Sequence, residues 1–419
     1  MSSTTSAVPG PWREVARQAN LLAADGTLGS TIFAEMSALA VRTGAVNLGQ
    51  GFPDTDGPAA ILRAATDAVL GGRNQYPPGR GVPELRTAIA EHQRRFYGLH
   101  VDPDTEVLVT AGATEAIAAT IMALAGPGDE VVVLEPYYDS YAASIALAGA
   151  TRVTVPLRFP DYTLDDDVLA AAFSSRTRLV LLNSPHNPTG RVLTEAELRA
   201  VARLATAHDA LVVTDEVYEH LVFSGHRHVP MATLPGMAER TITISSAGKT
   251  FSVTGWKVGW LTARADLVDA VTTVKQFLTY VNAGPLQPAV ALGLGLPDST
   301  YAELAARLEA GRDLLVAGLR DAGFAVGAPA GAYFVIADAA PLGFADGLDL
   351  CRRLPELCGV VGVPVQVFHD DVAAARSLVR FAFCKRPEVL QEAVERLGRL
   401  RTGGSRTGGP RTGGPRAGR

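Results

Sequence analysis

The stretch "TEVLVTAGATEAIAATIMALAGPGDEVVVLEP", residues 105–136, decides the fold class of this 419-residue chain. Its two ends contain short, continuous apolar runs, and such runs indicate strands that are buried on both faces. The segment between them has the spacing of a helix. The same alternation returns between residues 177 and 246. Repeated strand–helix–strand units predict an α/β fold with a mostly parallel sheet flanked by helices.

The pattern changes after about residue 300, where a long helical pattern is followed by short strands and a closing helix. We therefore predict a large domain over residues 58–300 and a smaller α+β domain made of residues 29–57 and 301–400. Residues 1–28 are expected to form a flexible N-terminal arm. Residues 401–419 repeat Arg-Thr-Gly-Gly and bury too little surface to offset the entropy of ordering, so we predict a disordered tail.

The composition excludes several classes of function. Hydrophobic residues make up 47% and the net charge is −5, which is typical of a globular protein and not of a nucleic-acid binder. The N-terminus lacks the pattern of a signal peptide, and no apolar stretch is long enough to span a bilayer. Three cysteines without a Cys-x-x-Cys pair fit a reducing compartment. We expect a soluble cytoplasmic protein that has neither a membrane nor a nucleic acid as its partner.

Two acidic residues end the apolar run "ALVVTDE", residues 210–216. Asp215 or Glu216 is therefore expected at the rim of a buried sheet, where a carboxylate needs a cation or several hydrogen-bond donors. The alternative is a helix N-cap, which is a common role for an acidic residue after a strand. Taken alone, this segment favours the N-cap.

Two further loops follow predicted strands and are suited to bind a ligand. In "VTAGATEA", residues 109–116, the amides of Ala113 and Thr114 are expected at a helix N-terminus, which favours an anion such as phosphate. The loop "NSPHNPTG", residues 183–190, presents two asparagine amides beside prolines. Taken singly, each loop is better interpreted as a connection between a strand and a helix.

The segment "SSAGKTFSVTGWKVGW", residues 245–260, places two lysines among small residues. One interpretation is a surface loop with solvated lysines. The other is a tight site in which Lys249 binds a carbonyl as a Schiff base while Ser246 and Lys257 hold a phosphate. The second interpretation also explains the carboxylate and the two loops, because pyridoxal 5'-phosphate is a phosphorylated aldehyde with a protonatable ring nitrogen. The sequence therefore predicts this cofactor.

The order and wording of these segments closely resemble the fold-type I aminotransferases of class I, from about Thr31 to Leu400. The segments that carry the resemblance include "NLGQGFPD", "NQYPPGRG", "EPYYDSY", "NSPHNPTG", "TDEVYEHLVF", "SSAGKTFSVTGWKVGW" and "VRFAFCKR". Within the class, the chain is most similar to the kynurenine/glutamine aminotransferase (cysteine-conjugate β-lyase) group and to the actinobacterial N-succinyldiaminopimelate aminotransferases. The resemblance implies a transaminase that acts on small-molecule amino acids and 2-oxo acids.

The resemblance also implies how the cofactor ring is bound. Lys249 forms the Schiff base and Asp215 binds the ring nitrogen. Asn187 and Tyr218 hydrogen-bond the phenolic oxygen of the ring, and Tyr138 stacks on its face. Of these residues, Lys249, Asp215 and Tyr218 are expected to be catalytic.

For the phosphate, the resemblance implies four ligands from the same chain and one from another. The four are Ala113, Thr114, Ser246 and Lys257. Tyr76, in "NQYPPGRG", is expected to reach the phosphate of the neighbouring subunit. The expected catalytic unit is therefore a homodimer.

The substrate is expected to bind beside the cofactor through its α-carboxylate. Arg380, in "VRFAFCKR", is the implied bidentate partner of that carboxylate, with the Gly51 backbone and the Asn187 amide alongside. Phe33 occupies a position where relatives contact the substrate side chain. Asn282 is also expected near the region that sets substrate selectivity.

The resemblance implies transfer of an amino group from an L-amino acid to a 2-oxo acid of the 2-oxoglutarate or pyruvate type. A kynurenine, glutamine or methionine-like donor would need a mostly apolar pocket, which Phe33, Tyr138 and Phe334 are placed to line. The alternatives are an N-succinyl-LL-diaminopimelate aminotransferase of lysine biosynthesis or a cysteine-conjugate β-lyase. The extra carboxylates of the succinylated substrate would need a further cation, for which Arg80 is the candidate.

No metal site is expected from the histidines of this chain. His226 and His228 form an "HRH" sequence, but no carboxylate or cysteine at ligand spacing completes a site. A solvent-exposed turn is the favoured interpretation of this sequence.

Overall fold

The computed structural model describes residues 8, 10–22 and 25–403 of the chain. In chain order the strands are β1 (Val46–Asn47), β2 (Val107–Thr110), β3 (Glu130–Glu135), β4 (Thr151–Pro156), β5 (Thr177–Asn183), β6 (Leu211–Asp215), β7 (Thr241–Ser246), β8 (Gly259–Thr262), β9 (Ala325–Val326), β10 (Phe334–Asp338), β11 (Val360–Val361), β12 (Val363–Pro364) and β13 (Leu378–Ala382). The α-helices are α1 (Trp12–Gln18), α2 (Ile32–Thr43), α3 (Ala59–Leu70), α4 (Pro83–Tyr97), α5 (Gly112–Leu124), α6 (Asp139–Ala148), α7 (Asp166–Ala171), α8 (Glu195–Ala207), α9 (Ala247–Thr250), α10 (Ala265–Lys275), α11 (Gln287–Leu294), α12 (Asp298–Ala322), α13 (Gly347–Leu357), α14 (Pro387–Leu397) and α15 (Arg399–Gly403).

The central sheet has seven strands within the described residues, in the order β2-β8-β7-β6-β5-β3-β4. Strand β8 runs antiparallel to both of its neighbours, and the remaining neighbours are parallel to each other. Parallel strands need crossover connections, which here contain the helices that cover the sheet. The predicted α/β fold with a mostly parallel sheet is confirmed.

Consecutive residues of the central strands enter two different hydrophobic clusters. In β3, Val132 packs into one cluster while Val131 and Val133 pack into the other. In β5, Val180 and Leu181 divide in the same way. Because side chains alternate between the two faces of a strand, a strand that is covered on both faces needs an apolar residue at every position. This explains the continuous apolar runs in the sequence.

Four parallel strands end in polar residues at one edge of the central sheet. Strands β2, β5, β6 and β7 end at Thr110, Asn183, Asp215 and Ser246. Helix α5 begins two residues after β2, and α9, which carries Lys249, begins directly after β7. Ligands of open α/β sheets bind at the carboxyl ends of the strands. The topology therefore brings the predicted site residues to one edge.

A smaller antiparallel sheet has the order β12-β13-β10-β9 in the described part of the chain. Arg380 lies in β13 and is paired with Ile336 of β10 and Val363 of β12. Strand β1, from the early part of the sequence, pairs with β11. This pairing joins the region after α2 to the C-terminal elements. The division into a large and a small domain at the stated boundaries stays a prediction.

Strands β4 and β8 are absent from the sequence-based prediction, for two physical reasons. Strand β4 lies at the edge of the sheet and is only partly buried, so it lacks a continuous apolar run. Strand β8 begins at Gly259, where a Cβ would lie 2.5 Å from the backbone carbon of Gly112. The close approach of β8 to α5 requires glycine, although glycine in a sequence usually indicates a loop.

The two ends of the chain differ in part from the prediction. Helix α1 lies within the predicted N-terminal arm and packs against α6. Helix α15 ends at Gly403, so the first three residues of the predicted tail are helical. Residues 404–419 of the tail and residues 1–7, 9, 23 and 24 of the arm lie outside the described residues. Over the described ranges, the helices are too short or too polar to cross a membrane.

Candidate active site

A cavity of about 300 Å³ lies at the carboxyl edge of the central sheet. It brings together every residue expected to bind the cofactor or the substrate α-carboxylate, except Tyr76, but it does not include the selectivity candidates Asn282 and Arg80. The predicted residues that line it are Phe33, Gly51, Ala113, Thr114, Tyr138, Asn187, Asp215, Tyr218, Ser246, Lys249, Lys257 and Arg380.

Lys249 presents its amine to this cavity from helix α9. The Nζ atom lies 5.7 Å from the ring centroids of both Tyr218 and Tyr333. Burial lowers the pKa of Lys249, and the charge of Asp215 acts in the opposite direction. A lowered pKa leaves more of the amine unprotonated, which is the form that attacks a carbonyl.

Asp215 is buried at the end of β6 and faces the same cavity. Its Oδ2 atom accepts a hydrogen bond from the Tyr141 hydroxyl at 2.6 Å, and its Oδ1 atom accepts one from the Val217 amide at 3.3 Å. Burial raises the pKa of Asp215, while the Tyr141 hydrogen bond and the Lys249 charge lower it. A cation placed against this carboxylate would be stabilised strongly, because little water is present to screen it.

The N-terminus of α5 and Lys257 form the anion-binding end of the cavity. A Cβ at Gly112 would lie 3.4 Å from the Lys257 Nζ atom, so the ammonium group lies directly beside the first turn of the helix. The Ala113 and Thr114 amides in that turn have no partner inside the helix. Together with Ser246, these groups provide positive potential and hydrogen-bond donors for a phosphate.

Asn282 stabilises this anion-binding end but does not line the cavity. Its Nδ2 atom donates to the backbone carbonyls of Thr110 at 3.1 Å and Lys257 at 3.0 Å. Lys257 has a positive φ of 53°, which is unfavourable for a residue with a side chain and needs such support. Within this chain the Asn282 amide holds backbone, and the expectation that this residue lies near the region that sets substrate selectivity stays a prediction.

Arg380 is a buried cation without an acidic partner among the described residues. Its guanidinium donates to Asn187 Oδ1 at 3.0 Å and to the Gly49 carbonyl at 3.1 Å, and its Nε atom has no partner. The rings of Phe33 and Phe334 lie 5.4 and 4.2 Å from its Cζ atom. Burial lowers the pKa of Arg380 to about 10. A buried guanidinium of this kind is a site for a carboxylate ligand.

Gly51 lines the cavity, and its lack of a side chain makes room for the Phe334 ring. A Cβ at this position would lie 2.6 Å from the Phe334 Cζ atom. Its carbonyl accepts a hydrogen bond from the Tyr333 hydroxyl at 2.7 Å. The remaining wall is largely aromatic, because Phe52 and Tyr138 also line it.

Tyr76 does not join the other site residues within this chain. Its side chain is 80% exposed and contacts the ring of Tyr280, with 5.6 Å between the ring centroids. Phe277 is 85% exposed in the segment that precedes Tyr280. The expected role of Tyr76 at the phosphate therefore requires a second subunit.

Two residues have partners that the sequence did not indicate, and for His228 the predicted solvent-exposed turn is wrong. Arg80 pairs with Asp269 and does not line the cavity, so within this chain its charge is already used. His228 is buried rather than exposed, and its Nε2 atom lies 2.8 Å from Glu216 Oε2. The buried Glu216 carboxylate needs a partner, which explains why the "HRH" segment folds inward at its last residue.

A second group of mostly buried polar residues lies outside the cavity lining, and we call it the histidine–glutamate cluster. Its members are His92, Glu216, Glu219, His220 and His228. Possible ligand atoms of His92, Glu219 and His220 lie within 4.8 Å of one another. The expectation that the protein binds no metal therefore stays a prediction.

Sequence reasoning missed several residues that line the cavity, among them Gln50, Phe52, Tyr141 and Thr254. Tyr141 was the easiest of them to find, since it follows Tyr138 by three residues in "EPYYDSY" and so lies on the same face of α6. Gln50 and Phe52 lie in an irregular segment and Thr254 begins a 3-10 helix of only three residues, so no periodicity indicates which of these side chains face inward.

The groups around the cavity fit pyridoxal phosphate. The helix N-terminus with Lys257 suits the phosphate, the amine of Lys249 suits the aldehyde, and the buried Asp215 suits a protonated ring nitrogen. Arg380 remains available for a substrate carboxylate.

The comparisons with known proteins agree with this chemistry. Residues 43–397 match the family described as "Aminotransferase class I and II". The solved N-succinyldiaminopimelate aminotransferase from Mycobacterium tuberculosis has a TM-score of 0.88 and 53% identity, over 94% of this chain and 100% of that chain. The methionine aminotransferase of Escherichia coli is 40% identical over 89% of this chain and 96% of its own length. Kynurenine–oxoglutarate transaminase 3 of Mus musculus is 39% identical over 88% of this chain and 87% of its own length. The chain therefore belongs to the class I and II aminotransferase family and is a pyridoxal-phosphate-dependent transaminase.

Proposed function

We propose that Lys249, Asp215 and Tyr218 carry the chemistry of amino-group transfer in this cavity. Pyridoxal phosphate, when bound, supplies an aldehyde carbon that bonds amines and a ring that accepts the electrons released at the substrate α-carbon. Lys249 holds the aldehyde carbon before the substrate arrives, and its released amine then takes the α-proton. Asp215 holds a proton on the ring nitrogen. Tyr218, with Asn187, orients the ring through its phenolic oxygen.

Arg380 binds the α-carboxylate of the incoming amino acid in this proposal. Its unpartnered Nε and its lack of an acidic partner among the described residues are the observations that carry the assignment. The Asn187 side chain fixes the guanidinium, and the Gly51 backbone lies next to the same site. Holding the carboxylate fixes the α-proton within reach of the Lys249 amine, and such orientation lowers barriers by several kcal/mol, up to about 7–11.

We propose that the phosphate is held by Ala113, Thr114, Ser246 and Lys257, and by Tyr76 of a neighbouring subunit. The support for a homodimer is the exposure of Tyr76 and Phe277 on one surface, since monomers rarely expose clustered aromatic residues. A mixing experiment tests this directly. Tyr76→Ala and Lys249→Ala chains are each expected to be impaired, but their mixture should regain activity because one of the two sites in each mixed dimer is intact. Lack of any recovery in verified mixed dimers would contradict a role for Tyr76 across the interface.

The preferred donor is proposed to be an L-amino acid with a neutral, mostly apolar side chain of the methionine, glutamine or kynurenine type, with a 2-oxo acid of the 2-oxoglutarate or pyruvate type as acceptor. The cations that line the cavity are Lys249, Lys257 and Arg380. In this proposal they bind the aldehyde carbon, the phosphate and the α-carboxylate, so none is left for an acidic side chain. The wall left for the side chain contains Phe33, Phe52, Tyr138, Phe334 and the neutral Gln50. An acidic side chain would lose water there without gaining a cationic partner.

N-succinyl-LL-diaminopimelate is the second candidate donor, because a relative with 53% identity acts on it by name. Lys385 offers a further cation near the wall, since its Nζ atom donates to the Phe52 carbonyl at 2.8 Å and lies 4.9 Å from the Phe52 ring centroid. If this donor is used, Lys385→Met should raise its KM at least tenfold and leave the KM for methionine within twofold. Equal effects on both donors would exclude a specific contact with the succinyl carboxylate.

The decisive test of the substrate is a half-reaction assay with a panel of donors. The loss of the visible absorbance of the lysine-bound cofactor is followed with methionine, glutamine, kynurenine and N-succinyl-LL-diaminopimelate. We expect the fastest loss with a neutral donor, and a clear preference for the succinylated donor would contradict this. Release of pyruvate and ammonia from a cysteine conjugate would measure the alternative β-lyase activity.

We also propose that the enzyme acts in the cytoplasm. Cys351, Cys358 and Cys384 are buried free thiols. Buried thiols without a disulfide fit a reducing compartment. Fractionation of cells with an antibody against the chain would test this location.

A further inference from the structure

Tyr141 lines the cavity and contacts Asp215 through a hydrogen bond. The residue is 3% exposed and lies in the first turn of α6. Its hydroxyl donates to Asp215 Oδ2 at 2.6 Å. Its ring is nearly perpendicular to that of Tyr138, with 5.8 Å between the centroids.

The hydrogen bond from Tyr141 is the shorter of the two that the Asp215 carboxylate accepts in the described part of the chain. The other donor is the Val217 amide, at 3.3 Å. Charged or titratable groups also face Asp215 without donating a hydrogen bond to it, and they are Tyr138, Glu216, Tyr218 and Lys249. Tyr141 therefore sets both the direction of the carboxylate and much of its affinity for a proton.

We propose that Tyr141 is a positioning residue that keeps the shared proton of the cofactor–Asp215 pair on the ring nitrogen. The inference rests on the proposed role of Asp215. A donor to one carboxylate oxygen stabilises the charged form of the acid and makes it a weaker base. Asp215 therefore leaves the proton on the nitrogen, where it makes the ring a better acceptor of electrons. Without the Tyr141 hydroxyl, the buried acid would draw the proton to itself.

The same segment supplies a matched control. The Tyr137 hydroxyl also donates to a carboxylate, Asp370 Oδ1, at 2.6 Å, and Tyr137 is 1% exposed. Tyr137 does not line the cavity. Replacing either tyrosine by phenylalanine removes one buried hydroxyl from one carboxylate, but only Tyr141→Phe changes the partner of the cofactor.

The test compares the Tyr141→Phe and Tyr137→Phe holoenzymes with the wild type. A protonated ring nitrogen withdraws electrons from the bond to Lys249 and lowers the pKa of the nitrogen in that bond. For Tyr141→Phe we expect the midpoint of the pH titration of the visible absorbance to rise by about one pH unit. We also expect the Kd for the cofactor to increase about tenfold. The Tyr137→Phe midpoint and Kd should stay within about 0.2 pH units and twofold of the wild type. Both variants should lose a comparable amount of thermal stability.

A Tyr141→Phe holoenzyme with the midpoint and Kd of Tyr137→Phe would overturn the inference. If Tyr141→Phe yields no folded protein, 3-fluorotyrosine at position 141 replaces it as a stronger donor. The midpoint should then fall, and an unchanged or raised midpoint would contradict the proposal. The Asp215→Asn variant distinguishes failure of the Asp215 role from failure of the Tyr141 role. A normal spectrum and kcat in Asp215→Asn would refute the role of Asp215 itself. An altered spectrum and kcat in Asp215→Asn, together with normal values in Tyr141→Phe, would refute only the role of Tyr141.

Discussion

The segment from Asp215 to His220 contributes polar side chains, most of them buried, to two regions with different electrostatics. Asp215 and Tyr218 line the cavity with Lys249 and Arg380. Glu216, Glu219 and His220 belong to the histidine–glutamate cluster, which the cavity does not reach. Both regions are buried and rich in titratable groups, so burial alone does not distinguish a ligand site.

The carboxylates of the cluster have hydrogen-bond partners within the protein, whereas the cations of the cavity have no acidic partner among the described residues. Glu219 accepts hydrogen bonds at 2.6 Å from both the Tyr97 and the Ser245 hydroxyls. His92 Nε2 lies 2.7 Å from His220 Nε2, and Glu216 is paired with His228. In the cavity, Arg380 and Lys249 form no ion pair with an acid among the described residues. Buried cations that lack a counter-ion mark the place where an anionic ligand is required.

The strongest test of this difference is the removal of the cavity amine. Lys249→Ala should reduce kcat by at least about 10⁴-fold, because the proton carrier and the cofactor bond are lost together. The visible absorbance of the lysine-bound cofactor should disappear in the same variant. Steady-state assays and absorbance spectra measure both effects. Turnover above 1% of the wild type would contradict the proposed role.

Arg380→Lys tests the cavity cation with conservation of charge. A lysine cannot reproduce the fork that holds a carboxylate at two points, so kcat/KM should fall about 10²-fold with the amino acid donor. Arg312→Lys is the matched control, because Arg312 is a largely buried arginine paired with Glu309 at 3.0 Å and lies away from the cavity. The control should change stability and leave kcat/KM within twofold. Similar losses in both variants would show that Arg380 acts through folding alone.

The cluster should respond to pH through stability and not through activity. Burial lowers the pKa of His92, and it lowers that of His220 to about 3, so His220 stays neutral in the folded protein at pH 5.5. In the unfolded chain His220 binds a proton below about pH 6.5, and this lowers the free energy of unfolding by about 1 kcal/mol between pH 7 and pH 5.5. In His220→Gln this loss should be smaller by that amount. Denaturant unfolding at both pH values measures it, and an unchanged pH dependence would contradict a neutral His220.

The sequence was sufficient for features that depend on local pattern. Continuous apolar runs predicted the strands, and the polar residues at their ends predicted the edge that carries the site. The resemblance supplied the roles of Lys249, Asp215 and Arg380, and the structure brings these residues to one cavity.

Features that depend on packing between distant segments were not predictable in this way. The inward turn of His228 follows from the need of Glu216 for a partner, and the two residues are twelve positions apart. The anchoring of Lys257 by Asn282 and the pairing of Arg80 with Asp269 likewise join segments that no local pattern connects. None of these partners could be inferred from the sequence, because the partner of a polar side chain is set by the fold.

The most direct test of the central claim is to find the amine that bonds the cofactor. The purified holoenzyme is reduced with borohydride, which makes the bond between the cofactor and the amine permanent, and peptides are then analysed by mass spectrometry. We predict a single pyridoxyl-phosphate addition on Lys249, with Lys257 unmodified. Modification of Lys257 instead, or of a lysine outside the cavity, would contradict the account.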